Sequence, residues 1–209
     1  RMAINSRPRD GRGTCMQLGF CFQGCKSRAK WSTLYTEIPA AEATGKLELR
    51  PESMALKIQT AENGAVSGVL YTDREGTQHL QRARVVCVAG NAIETARLLL
   101  NSESSRHPDG LANSSGSVGN NYLRHTTGSL YATFENPVHM YRGTTMAGII
   151  TDESRNDTTR GFAGGYELET IALGLPFITS FLDPGPWGAG FTEAIDQFAN
   201  MAGMWIVGE

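Results

Sequence analysis

Between Lys46 and Gly90 apolar and polar residues alternate in short runs, and the period changes on either side. KLELRP alternates, and SMALKIQTA, GAVSGVLYTD and TQHLQRARVVCVAG follow with turn residues at ENGA and DREG. This pattern predicts a short strand at 46–50 and an antiparallel meander of strands near 54–60, 66–72 and 77–84. Val85-Val86-Cys87-Val88 is apolar on both faces, the signature of a central parallel strand. It runs into Ala89-Gly90 and then NAIETARLLLNS, which reads as a helix apolar enough to be buried.

Upstream, residues 1–14 show no periodicity and are expected as loop. STLYTEIPAAEATG predicts a helix with Ser32 as N-cap and Gly45 as its stop, although Pro39 weakens the middle. Leu34, Ile38 and Ala41 would share its buried face. Downstream, 102–118 is a Ser/Asn/Gly-rich loop, and 152–161 is a polar connection. Strand-like alternation recurs at 126–135, around 144–151, at 164–170 and at 175–182. PGPWGAG is a turn, FTEAIDQFANMA puts Phe191, Ala194, Ile195, Phe198 and Ala202 on one helical face, and MWIVG is a last strand.

Charge and length then exclude some functions. The 209 residues carry 19 Lys and Arg against 21 Asp and Glu, a formal charge of −2, which gives no footprint for nucleic acid. No apolar run approaches the roughly 18 residues of a membrane span, so direct insertion is not expected. The first residues lack the apolar core of a secretory signal, and MWIVGE ends on strand-like sequence, which suggests a piece of a longer protein.

Chemistry concentrates in CMQLGFCFQGCKSRAK, where Cys15, Cys21 and Cys25 alternate with glycines and two phenylalanines expected to keep water away. The three occupy the first, third and fourth places of the C-x2-C-x2-C-x3-C cadence of bacterial ferredoxins, with Leu18 in the second place. Three thiolates would favour a [3Fe-4S] cluster. Zinc with a fourth ligand from elsewhere, a disulfide that strands one cysteine, and free buried thiols are the competing readings. Cys87, inside an apolar run, reads as core.

Among the histidines, His79 and His107 read as solvated, His139 has no evident partner nearby, and His125 reads as a hydrogen-bonded structural residue. No GxSxG elbow, HExxH helix or GxxxxGK loop occurs. A strand, a glycine and a helix in succession, as at 85–100, can set a helix N-terminus against a dinucleotide, and equally form a plain βα unit. Tyr166, Glu167, Trp187 and Trp205 are candidates to line a ligand pocket, or to serve as core and rim.

Four blocks in order carry a family resemblance: the cysteine loop running into AKWSTLYTEIPAA, the meander, VVCVAGNAIETARLLLNS, and VGNNYLRH. Together they make residues 1–125 resemble the glucose-methanol-choline (GMC) oxidoreductases, particularly the bacterial gluconate and sugar dehydrogenase flavoprotein branch. The resemblance implies a mixed α/β fold, the central part of a Rossmann-like FAD-binding domain with a three-stranded antiparallel meander, followed by part of an antiparallel-sheet substrate domain. It divides the chain into a cysteine-rich loop at 1–30, a partial FAD-binding domain at 31–125 and a partial substrate domain at 126–209.

Carried over residue by residue, the resemblance makes Lys30 and Ser32 the basic residue and serine that open the helix. Ala55 falls where relatives hold the FAD adenine through main-chain atoms, and Ala89 and Gly90 form the turn packed near the cofactor. Glu94 and Thr95 replace the usual Ser/Thr and Pro/Ser pair of the second family signature, a departure that points to this branch. Gly119, Asn121 and His125 match a G-x-N-x-x-x-H block that orders structure beside the flavin. The GxGxxG fingerprint and the paired active-site histidine are absent, so no catalytic residue is assigned, and both are expected outside this stretch.

The implied activity is oxidation of a CH–OH group of a sugar, sugar acid or other polyol, with hydride passing to flavin. Electrons would leave through the iron-sulfur centre toward cytochrome c, with a small subunit as a further partner, at the periplasm or the periplasmic face of the inner membrane. A non-catalytic zinc or partner-binding module and an oxygen-using GMC alcohol oxidase are the alternatives.

Overall fold

The computed structural model describes residues 3–172, 174, 185 and 187–208. In chain order its elements are α1 (Glu37–Glu42), β1 (Met54–Thr60), β2 (Val66–Thr72), β3 (Gln78–Arg82), α2 (Asn91–Leu100), β4 (Thr126–Thr133), β5 (Ile149–Ile150), β6 (Tyr166–Thr170), α3 (Ala189–Asp196) and β7 (Met201–Gly208). The chain forms two compact units, one of residues 48–123 and one of residues 1–47 with 124–209. The boundaries expected at 30 and 125 follow composition and motif, whereas these units follow packing.

In the unit of 48–123 the alternating runs fold as expected into an antiparallel meander in the order β1-β2-β3. A register irregularity lies between Ala55 and Lys57 of β1. Ile58 is the buried hydrophobic anchor of this strand at 3% exposure, and α2 packs against β1.

Three expectations fail in this unit. The strand at 46–50 does not form; Leu47 and Leu49 are exposed, and the segment finds no ladder partner among the described residues. Alternation without a neighbouring strand leaves the backbone groups to water, so the pattern alone does not make a strand. Val85–Val88 is likewise not a strand: the Ala83 N–H still bonds the Ser67 carbonyl at 3.1 Å, and then the chain leaves the meander. Val85 and Cys87 are exposed rather than core, and no parallel partner lies alongside among the described residues. The helix after Gly90 is present, but none of its residues is buried and Ile93 is 62% exposed, so it is an amphipathic surface helix.

In the other unit the helix expected from Ser32 to Gly45 is two pieces. Ser32 does cap, its Oγ accepting the Leu34 N–H at 3.3 Å, but the turn it caps is a 3-10 turn at Thr33–Tyr35. Thr36 leaves helical geometry (φ −129°, ψ −83°), and α1 starts at Glu37. Pro39 explains the restart. It lacks an N–H and its ring crowds the carbonyl four residues back, so it is tolerated only in a first turn, where α1 places it. Leu34 consequently faces solvent, while Ile38 and Ala41 are half-buried.

The sheet of this unit has the order β4-β7-β6-β5, with antiparallel neighbours throughout. MWIVG belongs to β7, the longer strand between β4 and β6. Of the predicted helical face, Phe191, Ala194 and Ile195 are half-buried on α3; Phe198 lies in a 3-10 turn and Ala202 in β7, because the helix ends at Asp196. The strand expected at 175–182 lies outside the described residues, as does part of the turn at 184–190. Ile171 and Phe198 form the core with Tyr131, Met140, Tyr141 and Trp205 packed around them, and the Tyr141 and Phe198 rings stack at 4.7 Å. No helix among the described residues is long and apolar enough to cross a membrane.

Candidate functional site

Most of the residues singled out in the sequence fall around three separate cavities, each within one unit. The first, about 530 Å³, lies where α2 meets the meander and is lined by Ala55, Val86, Ala89, Gly90, Glu94 and Arg97 among others. Ala55, Ala89 and Gly90, all expected to approach the FAD, thus line one space. Gly90 has φ −87°, and a Cβ there would meet only ordinary contacts, the nearest Glu94 Cβ at 3.4 Å. Neither backbone strain nor the chain's own packing demands a glycine, and its bare backbone leaves the cavity wall open. These residues therefore fit a cofactor held through main-chain atoms.

Arg97 is the residue that reading the sequence missed. Its Nη2 donates to the Ala55 carbonyl at 3.4 Å, and its Nε pairs with Glu94 Oε2 at 2.5 Å. The helical i, i+3 spacing of Glu94 and Arg97 was the available signal. The reach of Arg97 across to β1 depends on how α2 packs. Gly119 and Asn121, at φ +81° and +57°, shape the exposed turn that follows in this unit.

The second cavity, about 240 Å³, is lined by Cys15, Cys21 and Cys25 together with Met16, Phe20 and Ser27 among others. All three thiols are free and partly buried. Each sulfur accepts a backbone N–H: Cys15 from Gln17 at 3.4 Å, Cys25 from Lys30 at 3.4 Å, and Cys21 from Thr145 at 3.5 Å. For Cys25, burial raises the thiol's pKa but is outweighed by hydrogen bonds from the Lys30, Ala29 and Ser27 backbone and the Ser27 hydroxyl, so it is held below the ordinary thiol range. Among the described residues no group of three His, Cys, Asp or Glu side chains is arranged to hold a metal ion. Phe20 and Phe22 are about half exposed, so they do not seal the loop as expected.

Gly19 fixes how this loop docks. Its N–H bonds the Gly143 carbonyl at 3.1 Å, its φ is +72°, and a Cβ would fall 2.2 Å from the Tyr141 carbonyl oxygen. Only glycine permits that approach. Lys30 forms an isolated bridge with Ile4 and ties its N–H to Cys25, while Ser32 is spent on capping.

The third cavity, about 340 Å³, lies on one face of the β4-β7-β6 sheet. Tyr166, Glu167 and Trp205 line it with His125, Thr127, Ser154 and Glu169, whereas Trp187 is 89% exposed and is not part of it. Register explains the grouping: Thr127, Val207 and Glu167 form one cross-strand row, and Ser129, Trp205 and Glu169 the next row of the same face. Beside it Tyr131 is held by packing. Burial pushes its hydroxyl up to about 12.

Of the remaining histidines, His79 is exposed as expected, while His139 and His107 differ from expectation. His79 is partnered, its Nε2 lying 2.7 Å from Asp73 Oδ2 and its ring stacked on Tyr71 at 5.2 Å. His139 finds Tyr141 two residues away, with Nδ1 3.0 Å from the hydroxyl. His107 is half-buried in a turn closed on Ser104.

Comparison with known proteins adds what geometry alone does not. The GMC oxidoreductase profile matches residues 2–127. The chain is 33% identical over 216 residues to the 2-methyl-1,2-propanediol dehydrogenase of Mycolicibacterium austroafricanum, a match that covers 99% of this chain and 39% of that protein. The fructose dehydrogenase large subunit of Gluconobacter japonicus is 29% identical over 161 residues, covering 77% of this chain and 29% of that one. The 6'''-hydroxyparomomycin C oxidase of Streptomyces lividus is 37% identical over 120 residues, 56% of this chain and 22% of its own length. The chain thus spans about two fifths or less of the length of these relatives. It belongs to the GMC oxidoreductase family, and that membership implies FAD as its cofactor.

Proposed function

We propose that the chain forms part of an FAD-dependent dehydrogenase that oxidises a CH–OH group of a sugar, sugar acid or other polyol and delivers the electrons to a cytochrome-type acceptor. The observation that carries this reading is the family match over residues 2–127, which includes the cavity of Ala55, Ala89 and Gly90. When bound, FAD supplies the hydride acceptor. Ala55 would present main-chain atoms to the adenine, Gly90 keeps the wall bare, and Arg97 fixes the Ala55 carbonyl. In the other unit Lys30, Ser32 and His125 keep the roles that the resemblance implies. Export to the periplasm and attachment through a small subunit belong to the same proposal, and rest on the likeness to the sugar dehydrogenase branch.

The test is reconstitution of the full-length protein with FAD and measurement of dye reduction with a panel of diols, polyols and sugars. Flavin absorption with polyol-dependent reduction of a one-electron dye is expected. A protein that takes up no FAD overturns the reading.

The relay part of the proposal places a [3Fe-4S] centre at Cys15, Cys21 and Cys25. It is supported by their shared cavity and by a backbone N–H at each sulfur, a pattern that stabilises negative charge on thiolates. Iron analysis of anaerobically purified protein, with Cys21→Ser as control, decides it; iron-free protein that still reduces a one-electron acceptor at full rate sinks the relay. A second reading, transfer to oxygen, is favoured by two relatives being named oxidases. Substrate-dependent peroxide at the rate of turnover would establish it over a cytochrome acceptor.

A further inference from the structure

Glu167 and Glu169 are the two carboxylates of the cavity on the sheet face, and neither has a hydrogen bond or ion pair among the described residues. Both are half-buried on β6, on the same face as Trp205. Two glutamates at i and i+2 on one face of a strand, with no Lys or Arg between them, are like charges that the fold itself does not require. No Lys or Arg lines the cavity. The arginine of the adjoining loop, Arg160, is already engaged: Nη1 lies 2.6 Å from Glu153 Oε2, and Nη2 donates to the Gly164 carbonyl. His125 is the one lining side chain able to carry a positive charge; besides it, Gly165 and Val207, the lining holds the Trp205 indole, the Tyr166 ring and the hydroxyl-bearing Thr127 and Ser154.

That combination defines what can enter. A volume of 340 Å³ falls in the range of about 300–1,000 Å³ usual for small-molecule sites. An indole face packs against the C–H surface of a polyol, and carboxylates accept hydrogen bonds from vicinal hydroxyls or from an ammonium group. A carboxylate-bearing substrate would instead bring a third negative charge into a space already holding two.

We infer that this cavity is a charge-selective substrate site, in which Glu167 and Glu169 admit neutral or amino-substituted polyols and reject sugar acids. The inference rests on the proposed polyol oxidation and narrows it, removing the sugar acids from the substrate class. Trp205 supplies the apolar platform, and the two glutamates read the substrate's hydroxyls and charge.

Three six-carbon compounds that differ only at C1 test it: sorbitol, 1-amino-1-deoxysorbitol and gluconate. Calorimetric titration of the full-length, FAD-loaded enzyme at low ionic strength should show sorbitol and the amino compound binding, with gluconate weaker by about tenfold or more. The Glu167→Gln/Glu169→Gln double variant should erase that penalty while keeping the flavin spectrum. Should that variant fail to fold, the wild-type enzyme decides: the gluconate penalty should shrink as salt is raised, because added ions screen partly exposed charges. Gluconate binding as tightly as sorbitol, a penalty insensitive to both salt and substitution, or no binding of any of the three overturns the inference. Binding in the expected order without turnover of any compound would instead sink the dehydrogenase reading and leave the charge selection standing.

Discussion

The backbone N–H of Ile58 donates to the Oγ of Ser102 at 2.8 Å, joining the middle of β1 to the end of α2 through a side chain that is 1% exposed. Ser102 in turn donates to the Leu98 carbonyl at 2.6 Å, so one hydroxyl satisfies a strand and a helix at once. Replacing it by Ala leaves the Ile58 N–H buried without a partner. Ser102→Ala should cost about 1–3 kcal/mol, the penalty of an unsatisfied buried donor. Urea unfolding measures the loss, and amide exchange should show it first at Ile58; an unchanged midpoint would mean the hydroxyl carries no load.

Arg97 holds the Ala55 carbonyl and is itself held by Glu94. Arg97→Gln should loosen the edge of β1 that faces the candidate cofactor cavity. The expected result is about 5- to 10-fold weaker FAD binding, equivalent to the roughly 1 kcal/mol of one ordinary hydrogen bond lost. Flavin fluorescence titration of the apoprotein measures this apart from turnover. Unaltered affinity would remove Arg97 from the cofactor's support.

Gly203 faces the ring of Tyr131 so closely that an added Cβ would sit 2.2 Å from Tyr131 Cδ1. The ring lies across the bare β7 backbone, next to the Ile171–Phe198 core. Gly203→Ala should therefore destabilise by about 1–3 kcal/mol, as overpacking does. Tyr131→Leu added to it should recover part of the loss in a double-mutant cycle; strict additivity would show that the two positions do not press on one another.

Asp73 and His79 give the meander a pH dependence. The side-chain hydrogen bond from His79 is the main reason the Asp73 carboxyl is held below the ordinary aspartate range. A carboxyl depressed in the folded state favours folding above its unfolded value, and that contribution is lost as pH falls toward the folded one. Between about pH 5 and about pH 3 wild-type protein should thus lose stability faster than Asp73→Asn. Because the pair is exposed the difference will be small, and it should fade in high salt. Parallel acid slopes for the two proteins would refute it.

How much of this was legible beforehand depends on where each element finds its partners. The meander could be read because each of its strands pairs with a neighbour only a tight turn away, and period-2 alternation with turn residues specifies both. The Ser32 cap and the Gly45 stop were equally local signals, although Pro39 moved the helix start to Glu37. Val85–Val88 was misread because a strand needs a ladder partner, and apolar character cannot say whether one is present.

The candidate sites divide in the same way. The residue types around the three cavities could be named from the chain, since cysteine spacing, a glycine after an apolar run and aromatic residues beside a glutamate are local facts. Only the tertiary structure brought Thr145 to Cys21, Arg97 to the Ala55 carbonyl, and Glu169 with Trp205 onto one sheet face. These contacts join residues separated by 124 and 42 positions in the two hydrogen bonds, and by cross-strand register in the third. Such separations are set by packing and by loop closure, which leave no periodic mark in the chain. Sequence therefore determined the family, the meander and the chemistry available; the fold decided which of those groups meet, because only packing selects partners distant along the chain.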